Sequence, residues 1–460
     1  MRGKRFSIGL RALAIFAVTL SVTSTWAATN WNEKVLHSFS IFYTGGDRSS
    51  AGLISDAAGN LYGTTVFGGT YSCSCGTVFE LTPDGSGGWT ETVLYSFNGT
   101  DGGYPQAGLI FDARGNLYGT TYGDGYYGPG TAFELSPNQD GGWTETVLHT
   151  FGNGTDGAAP YAGLIFDAAG NLYGTTTAGG TYNSCLYSAN YCGTVFELTP
   201  TVGGGWTEQV LHSFNGTDGA VPYAGLVFDA AGNLYGTTDV GGTDDAGTVF
   251  ELTPAAGGGW TETVLYSFCA QPNCTDGGNP SASLILDAAG NLYGTTDYGG
   301  TYCPQGCGTV FELTPAGRET VLYSFCAQPN CTDGAYPSAS LIFDAAGNLY
   351  GTTRGGGTYG YGTVFELTPE ANGGWMENVL HSFNDNGTDG SNPEAGLIFD
   401  AAGNLYGTTQ YGGVYYNGGT VFELTPLYPC AVCSHSADRE LNVLPVEKRD
   451  ARERGGIERP

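Results

Sequence analysis

The side chains able to do chemistry are few in this chain of 460 residues, and most of them recur. Four of the five histidines, His37, His149, His212 and His381, hold one position in the phrase VLHSF or VLHTF. Tyr95, Tyr266 and Tyr323 hold the same position in VLYSF. An imidazole titrates near neutral pH and commonly serves acid–base catalysis there, and a phenol, with an ordinary pKa of about 10, is a poor stand-in for it. The interchange therefore marks a structural slot; His435 stands apart near the C-terminus. The carboxylates follow suit. One Glu recurs in TVFEL or TAFEL (Glu80, Glu134, Glu197, Glu251, Glu312, Glu366, Glu423), and one Asp recurs before a Gly-Asn (Asp56, Asp112, Asp167, Asp229, Asp287, Asp344, Asp400). A residue written once per repeat is placed all round the molecule, which a scaffold needs and a single active centre does not. There is no G-x-S-x-G elbow, phosphate loop or C-x-x-C-H haem site, so no catalytic residue and no cofactor is expected.

Twelve cysteines sit close together in sequence. The natural pairs are Cys185 with Cys192, Cys269 with Cys274, Cys303 with Cys307, Cys326 with Cys331, and Cys430 with Cys433. Such clusters in an exported chain read as local disulfides that stiffen loops. Closing a loop as short as Cys269 to Cys274 removes unfolded-state entropy worth roughly 2 kcal/mol. Cys73 and Cys75 stay undecided, because residues two apart on an extended chain barely reach disulfide distance. Cys430-Ala-Val-Cys433 with His435 lacks a second ligand pair for zinc and reads as a disulfide or free thiols.

The elements that carry these residues come from repetition. GNLYGTT starts at Gly59, Gly115, Gly170, Gly232, Gly290, Gly347 and Gly403 without one change. Each unit holds four short apolar runs rich in Val, Phe, Tyr and Thr: LIF (a), NLYGTT (b), TVFEL (c) and EQVLHSF or its variants (d). Gly, Pro, Asn and Asp separate them, as turn chemistry requires between antiparallel strands. Runs a, b and c occur seven times. Run d follows c six times, and its seventh copy, WNEKVLHSF (Trp31 to Phe39), precedes everything. An open solenoid needs caps at both ends. Here each end supplies what the other lacks, so the fold expected is all-β: a seven-bladed β-propeller with four antiparallel strands per blade, closed by the N-terminal strand d joining the C-terminal strands a–c.

The phrases GNLYGTT and GTVFELTP at this spacing resemble the Gloeo/Verruco (GloVer) tandem repeat, over Trp31 to Pro426. The resemblance implies an exported bacterial protein with a propeller fold, and it brings no established activity and no catalytic residues. Members often carry a C-terminal anchoring signal. The tail here has no apolar run with a basic cluster.

The ends complete the organisation. Residues 1–27, basic, then apolar, then closed by Ala27, read as a secretory signal peptide. Residues 28–429 are the propeller of GloVer-type repeats, and 430–460, dense in Arg and Glu, form a charged tail expected to be disordered. After signal cleavage no membrane insertion is expected. Removing the signal's Arg2, Lys4, Arg5 and Arg11 takes the formal charge from −29 to −33, that is, −29 minus 4. So acidic a surface repels phosphate backbones, which argues against nucleic acid as a partner. No complete calcium loop occurs; Asp385-Asn-Gly-Thr-Asp389-Gly390 lacks its distal Glu, so no metal is expected.

What is specific to each blade lies in loops. The d-to-a and b-to-c connections are expected on one face, where two rings surround the channel mouth. One ring follows each GTT: Val66, Tyr122, Thr177, Asp239, Asp297, Arg354 and Gln410. The other precedes each strand a: Ser50, Gln106, Tyr161, Tyr223, Ser281, Ser338 and Glu394. Tyr and Arg dominate binding hot spots. Tyr122, Tyr161, Tyr223 and Arg354 are therefore the candidate ligand-binding residues, with Tyr298 and Tyr411 as flanking platforms. The reading is a secreted, monomeric, extracellular binding module for a glycan or protein. The alternative is a propeller-type lyase or hydrolase with its site at the channel mouth.

Overall fold

The computed structural model describes residues 30–427 except 41–44, 124–127, 153, 183, 186–187, 190–191, 303–305 and 416. The signal segment, the tail, and Cys303, Cys430 and Cys433 therefore lie outside the described residues. Residues Trp31–Pro426 form one compact unit.

Seven four-stranded antiparallel sheets make the blades of a β-propeller. Blade 1 shows the pattern: strand a Ile54–Ser55, strand b Leu61–Thr65, strand c Thr77–Pro83 and strand d Trp89–Ser96. In the last blade Asn30–Ser38 lies beside Thr420–Leu427, followed by Leu405–Thr409 and Ile398–Phe399. The seam is the one the strand count implies. Blade 5 departs slightly: strand d is shortened to Glu319–Ser324, where the linker is short and the Trp is missing.

Each letter of GNLYGTT has a mechanical task, shown here in blade 1. Gly59 takes φ +86° in the a–b hairpin, a conformation that strains residues with a Cβ. Asn60 Nδ2 donates to Asp56 Oδ2 at 2.9 Å, and Leu61 enters the core. The Tyr62 hydroxyl lies 3.2 Å from Asp56 Oδ2 and 2.9 Å from Glu80 Oε1, so it clasps the hairpin to strand c. Gly63 leaves room for the Phe79 ring; a Cβ there would sit 2.7 Å from Phe79 Cζ. Thr64 Oγ1 donates to the carbonyl of Ala107 in blade 2 at 3.0 Å, and Thr65 pairs with Thr77 in its own blade at 2.7 Å. The phrase serves hairpin, core, clasp and blade-to-blade link at once. That accounts for its unbroken repetition, and for the recurring Asp and Glu being scaffold.

The core lies between blades. Phe97, just after strand d, packs edge-on to Phe133 of the next blade's strand c, with ring centroids 5.1 Å apart. Phe39 does the same across the seam with Phe79, at 5.0 Å. Trp89, which opens strand d, meets Tyr406 of the preceding blade at 6.4 Å. A register shift between Val78 and Phe79 against strand d places Tyr95 opposite Val78 and Val93 opposite Phe79. This bulge turns Tyr95, and His149 or His212 in other blades, toward the outer rim.

Candidate functional site

The two loop families meet as backbone. Ala158 bridges Ala178, Ala220 bridges Val240, and Gly278 bridges Tyr298, each joining a d-to-a loop to the stretch after GTT. The residue that follows in the d-to-a loop is left-handed in every blade: Arg48, Tyr104, Ala159, Val221, Asn279, Tyr336 and Asn392, with φ between 55° and 60°. Six of these precede a proline, where sequence rules favour extended backbone. They form a third blade-specific ring that sequence reasoning missed. A non-glycine residue held at positive φ costs of order 1 kcal/mol, and the bridging hydrogen bonds hold it there. Tyr122 N–H, for example, donates to the Tyr104 carbonyl at 3.2 Å.

These rings enclose a cavity of about 540 Å³ at the channel mouth. Its wall combines Asp239, Asp297 and Arg354 of the first ring with Ser50, Tyr161, Tyr223, Ser281, Ser338 and Glu394 of the second, and adds Asn279 and Tyr298. Four of the six candidate residues, Tyr161, Tyr223, Tyr298 and Arg354, thus line one cavity. Tyr122 stands behind it, edge-on to Tyr161 at 6.0 Å, and Tyr161 meets Tyr223 at 5.0 Å. Tyr411 stands apart: the Arg48 guanidinium covers its ring at 5.2 Å.

The cavity is polar as well as aromatic. Arg354 lies 3.8 Å from Glu394 and 5.5 Å over the Tyr336 ring. Gln410 Nε2 donates to Glu394 Oε2 at 3.1 Å and to Ser50 Oγ at 3.3 Å. Asn279 Nδ2 donates to the Asp239 carbonyl at 3.0 Å. Burial, helped by the charge of Asp297, pushes the Asp239 carboxyl up to about 6. Burial raises Asp297 and Glu394 too, and Arg354 opposes it in both. Burial raises the Tyr161 phenol to about 12. Ser281 Oγ, Ser338 Oγ and Asp297 Oδ1 have no hydrogen-bond partner among the described residues.

Away from the mouth, the slot shared by His and Tyr has one task. Tyr95, Tyr266 and Tyr323 donate to Asp101, Asp276 and Asp333 at 2.6, 2.8 and 2.9 Å. His149, His212 and His381 meet Asp156, Asp218 and Asp389 at 3.2 Å. His37 instead meets Glu91 at 3.7 Å. Burial pushes His37 down to about 4 and Glu91 up to about 7, so between those values both groups are neutral.

Disulfides join Cys185 to Cys192, Cys269 to Cys274 and Cys326 to Cys331. Cys73 and Cys75, left open on sequence, are also joined: Ser74 between them takes φ +52°, and the turn brings the Cα atoms to 5.2 Å. The chain there is not extended, which removes the geometric objection. Cys307 is disulfide-bonded. Four described bridges fit an exported chain. Among the described residues no helix is long and apolar enough to cross a membrane.

Among solved structures, an ancestral GH74 enzyme is 11% identical over 85% of this chain and 51% of its own, with a TM-score of 0.52. The GH74 enzyme of Niastella koreensis is 16% identical over 84% and 53%, with a TM-score of 0.48. A luciferin-regenerating enzyme is 13% identical over 86% and 96%, at 0.42. At these identities the likeness shows the fold alone. No curated protein sequence matches the chain. The Gloeobacter/Verrucomicrobia repeat model matches residues 14–190 and 186–422. With the phrase repeated in every blade and each blade built the same way, the chain belongs to the Gloeobacter/Verrucomicrobia repeat family.

Proposed function

We propose that this is a secreted binding module that holds a glycan at its channel mouth. The carrying observation is the composition of the cavity. Tyr161, Tyr223 and Tyr298 offer aromatic faces beside Ser281, Ser338 and Asp297, whose polar atoms lack partners. Buried polar atoms left unpaired are costly, and ligand hydroxyls would satisfy them. A sugar brings many hydroxyls on a ring whose C–H face suits tyrosine, and such pockets combine apolar walls with a few placed polar groups. Three carboxylates, Asp239, Asp297 and Glu394, face one guanidinium, Arg354. That balance favours a neutral glycan over an acidic one.

The test is a glycan screen on residues 28–460, followed by calorimetry. Tyr122, Tyr161, Tyr223 and Arg354 are replaced together by Ala, with circular dichroism to verify the fold. At least a tenfold loss of affinity is expected, since hot-spot truncations typically cost more than about 1 kcal/mol each. Unchanged affinity in the folded variant removes this face from consideration.

A second reading has its own support. Asp239, pushed up to about 6 beside Asp297, is a carboxylic acid able to donate a proton near neutral pH, next to a carboxylate able to accept one. That is the equipment of a hydrolase or lyase. Incubating the bound glycan with the protein separates the two readings: products that vanish in Asp239→Asn while binding persists mark an enzyme, and an intact glycan marks a binder.

A further inference from the structure

One glutamate of strand d shares an unusual environment in all seven blades: Glu33, Glu91, Glu145, Glu208, Glu262, Glu319 and Glu377 each bury Oε1 with no hydrogen-bond partner among the described residues. An unpaired buried carboxylate oxygen is costly, and seven copies are not one misplaced rotamer. Each Glu faces the rim of the preceding blade. At six of these rims the d-to-a Asp meets the slot held by Tyr or His, and at the seventh the slot's His37 meets Glu91 directly.

At two blade interfaces the third group is an imidazole and the donors converge. His212, Asp218 and Glu262 offer one ligand atom each, all within 4.8 Å of one another; so do Glu33, His381 and Asp389. Ligands on one zinc ion, bound at about 2.0–2.2 Å, stand roughly 3–4 Å apart, so small side-chain rotations suffice. His212 Nε2 already lies 3.2 Å from Asp218 Oδ2, and His381 Nε2 3.2 Å from Asp389 Oδ2. Asp389 and Asp218 are 5% and 9% exposed, so the donors are fixed by the fold rather than waving in solvent. An imidazole with two carboxylates suits zinc-type cations better than calcium, which prefers oxygen throughout.

We propose that His212–Asp218–Glu262 and Glu33–His381–Asp389 are two divalent transition-metal sites, each clipping adjacent blades together. The second has added mechanical weight. Glu33 lies on the N-terminal strand that closes the ring, while His381 and Asp389 belong to blade 6 and the loop after it. A cation there fastens the closing strand to a second blade. Three protein ligands leave a position for water, and the role is structural.

The protein contains its own control. Tyr95, Tyr266 and Tyr323 fill the same slot elsewhere, so His212→Tyr and His381→Tyr introduce a residue the ring already accommodates. Residues 28–460 are used with Cys430→Ser and Cys433→Ser in every arm, so that tail thiols do not contribute. The protein is stripped with chelator, dialysed against micromolar zinc, and read by metal content, by cobalt absorption and by melting temperature. Two ions per chain are expected, one lost with each Tyr substitution and both with the pair. Glu262→Gln and Glu33→Gln, nearly isosteric, give the same losses if a Tyr variant folds poorly. The metal-dependent rise in melting temperature is expected to shrink most when the Glu33 site is lost. A parent that binds no zinc, or a folded double variant that keeps both ions, overturns the assignment.

Discussion

Thr408 Oγ1 donates a hydrogen bond to the carbonyl of Ala51 at 2.9 Å, joining positions 357 residues apart. It is the seam's copy of a bond made between other neighbouring blades, as by Thr64 with Ala107 at 3.0 Å and Thr120 with Ala162 at 2.9 Å. Both partners are buried, so Thr408→Val leaves a carbonyl unpaired and should cost about 1–3 kcal/mol. Denaturant unfolding checks this. Deleting residues 31–39 removes a whole strand and exposes the edge of strand c, Thr420–Leu427; aggregation or a steep loss of stability is expected. A monomeric deletion variant with an unchanged melting temperature refutes the closure argument.

Gly63 tests the packing of the repeated phrase. Its Cβ would meet Phe79 Cζ at 2.7 Å and Leu53 Cδ2 at 3.1 Å, and both side chains are buried. Neither has free space to move into. Gly63→Ala should destabilise by about 1–3 kcal/mol, the usual cost of overpacking. Gly257→Ala, where nothing lies within 4 Å of a Cβ and where φ, as at Gly63, is outside the left-handed region, controls for the loss of glycine's backbone freedom. A loss at Gly63 no larger than at Gly257 would contradict the packing account.

The strand-d glutamates make stability fall as pH rises. Burial lifts Glu91, Glu145 and Glu319 from 4.5 to about 7, and Glu377 to about 8. Between 4.5 and those values the folded chain holds protons that the unfolded chain has released, so ∂ΔG/∂pH is negative there. His37 opposes this: burial lowers it from 6.5 to about 4, so its contribution falls as pH drops through that window. One His stands against the glutamates. Chelator-treated protein should therefore melt higher at about pH 5 than at about pH 8. The double variant Glu145→Gln/Glu319→Gln, at interfaces where Tyr fills the slot, should flatten the slope. A melting temperature rising steadily from pH 5 to 8 excludes it.

Much of this was legible because the repeat reports on itself. Seven copies of a, b and c with one d displaced to the N-terminus specify the ring and its seam without any long-range contact being known. The two rings after GTT and before strand a fall at fixed offsets, so the meeting of Asp239, Arg354, Tyr161 and Tyr223 round one cavity could be anticipated. What escaped depends on neighbours or on local backbone. The burial of Glu33 and Glu91 leaves no signal in their own strands, because the adjacent blade supplies it. Asn279 and Tyr336 were hidden by the extended bias of residues before proline. Cys73 and Cys75 stayed open because nothing in Cys-Ser-Cys announces that Ser74 turns left-handed.

Arg354 sets the charge of the mouth. It lies 3.8 Å from Glu394, and its guanidinium lowers the carboxyls of both Glu394 and Asp297 against the burial that raises them. Arg354→Ala removes that opposition, so both carboxyls should titrate at higher pH than in the parent. The direction then carries to binding: a mouth that loses its guanidinium is more negative at neutral pH, so it holds a cationic ligand better and an anionic one less well, while a neutral glycan loses only the contacts of Arg354. Carboxyl chemical shifts followed by NMR through an acid titration give the first reading, and ligand affinity at neutral pH the second. Carboxyl titrations unchanged by the substitution would show that Arg354 points its charge into solvent rather than into the cavity.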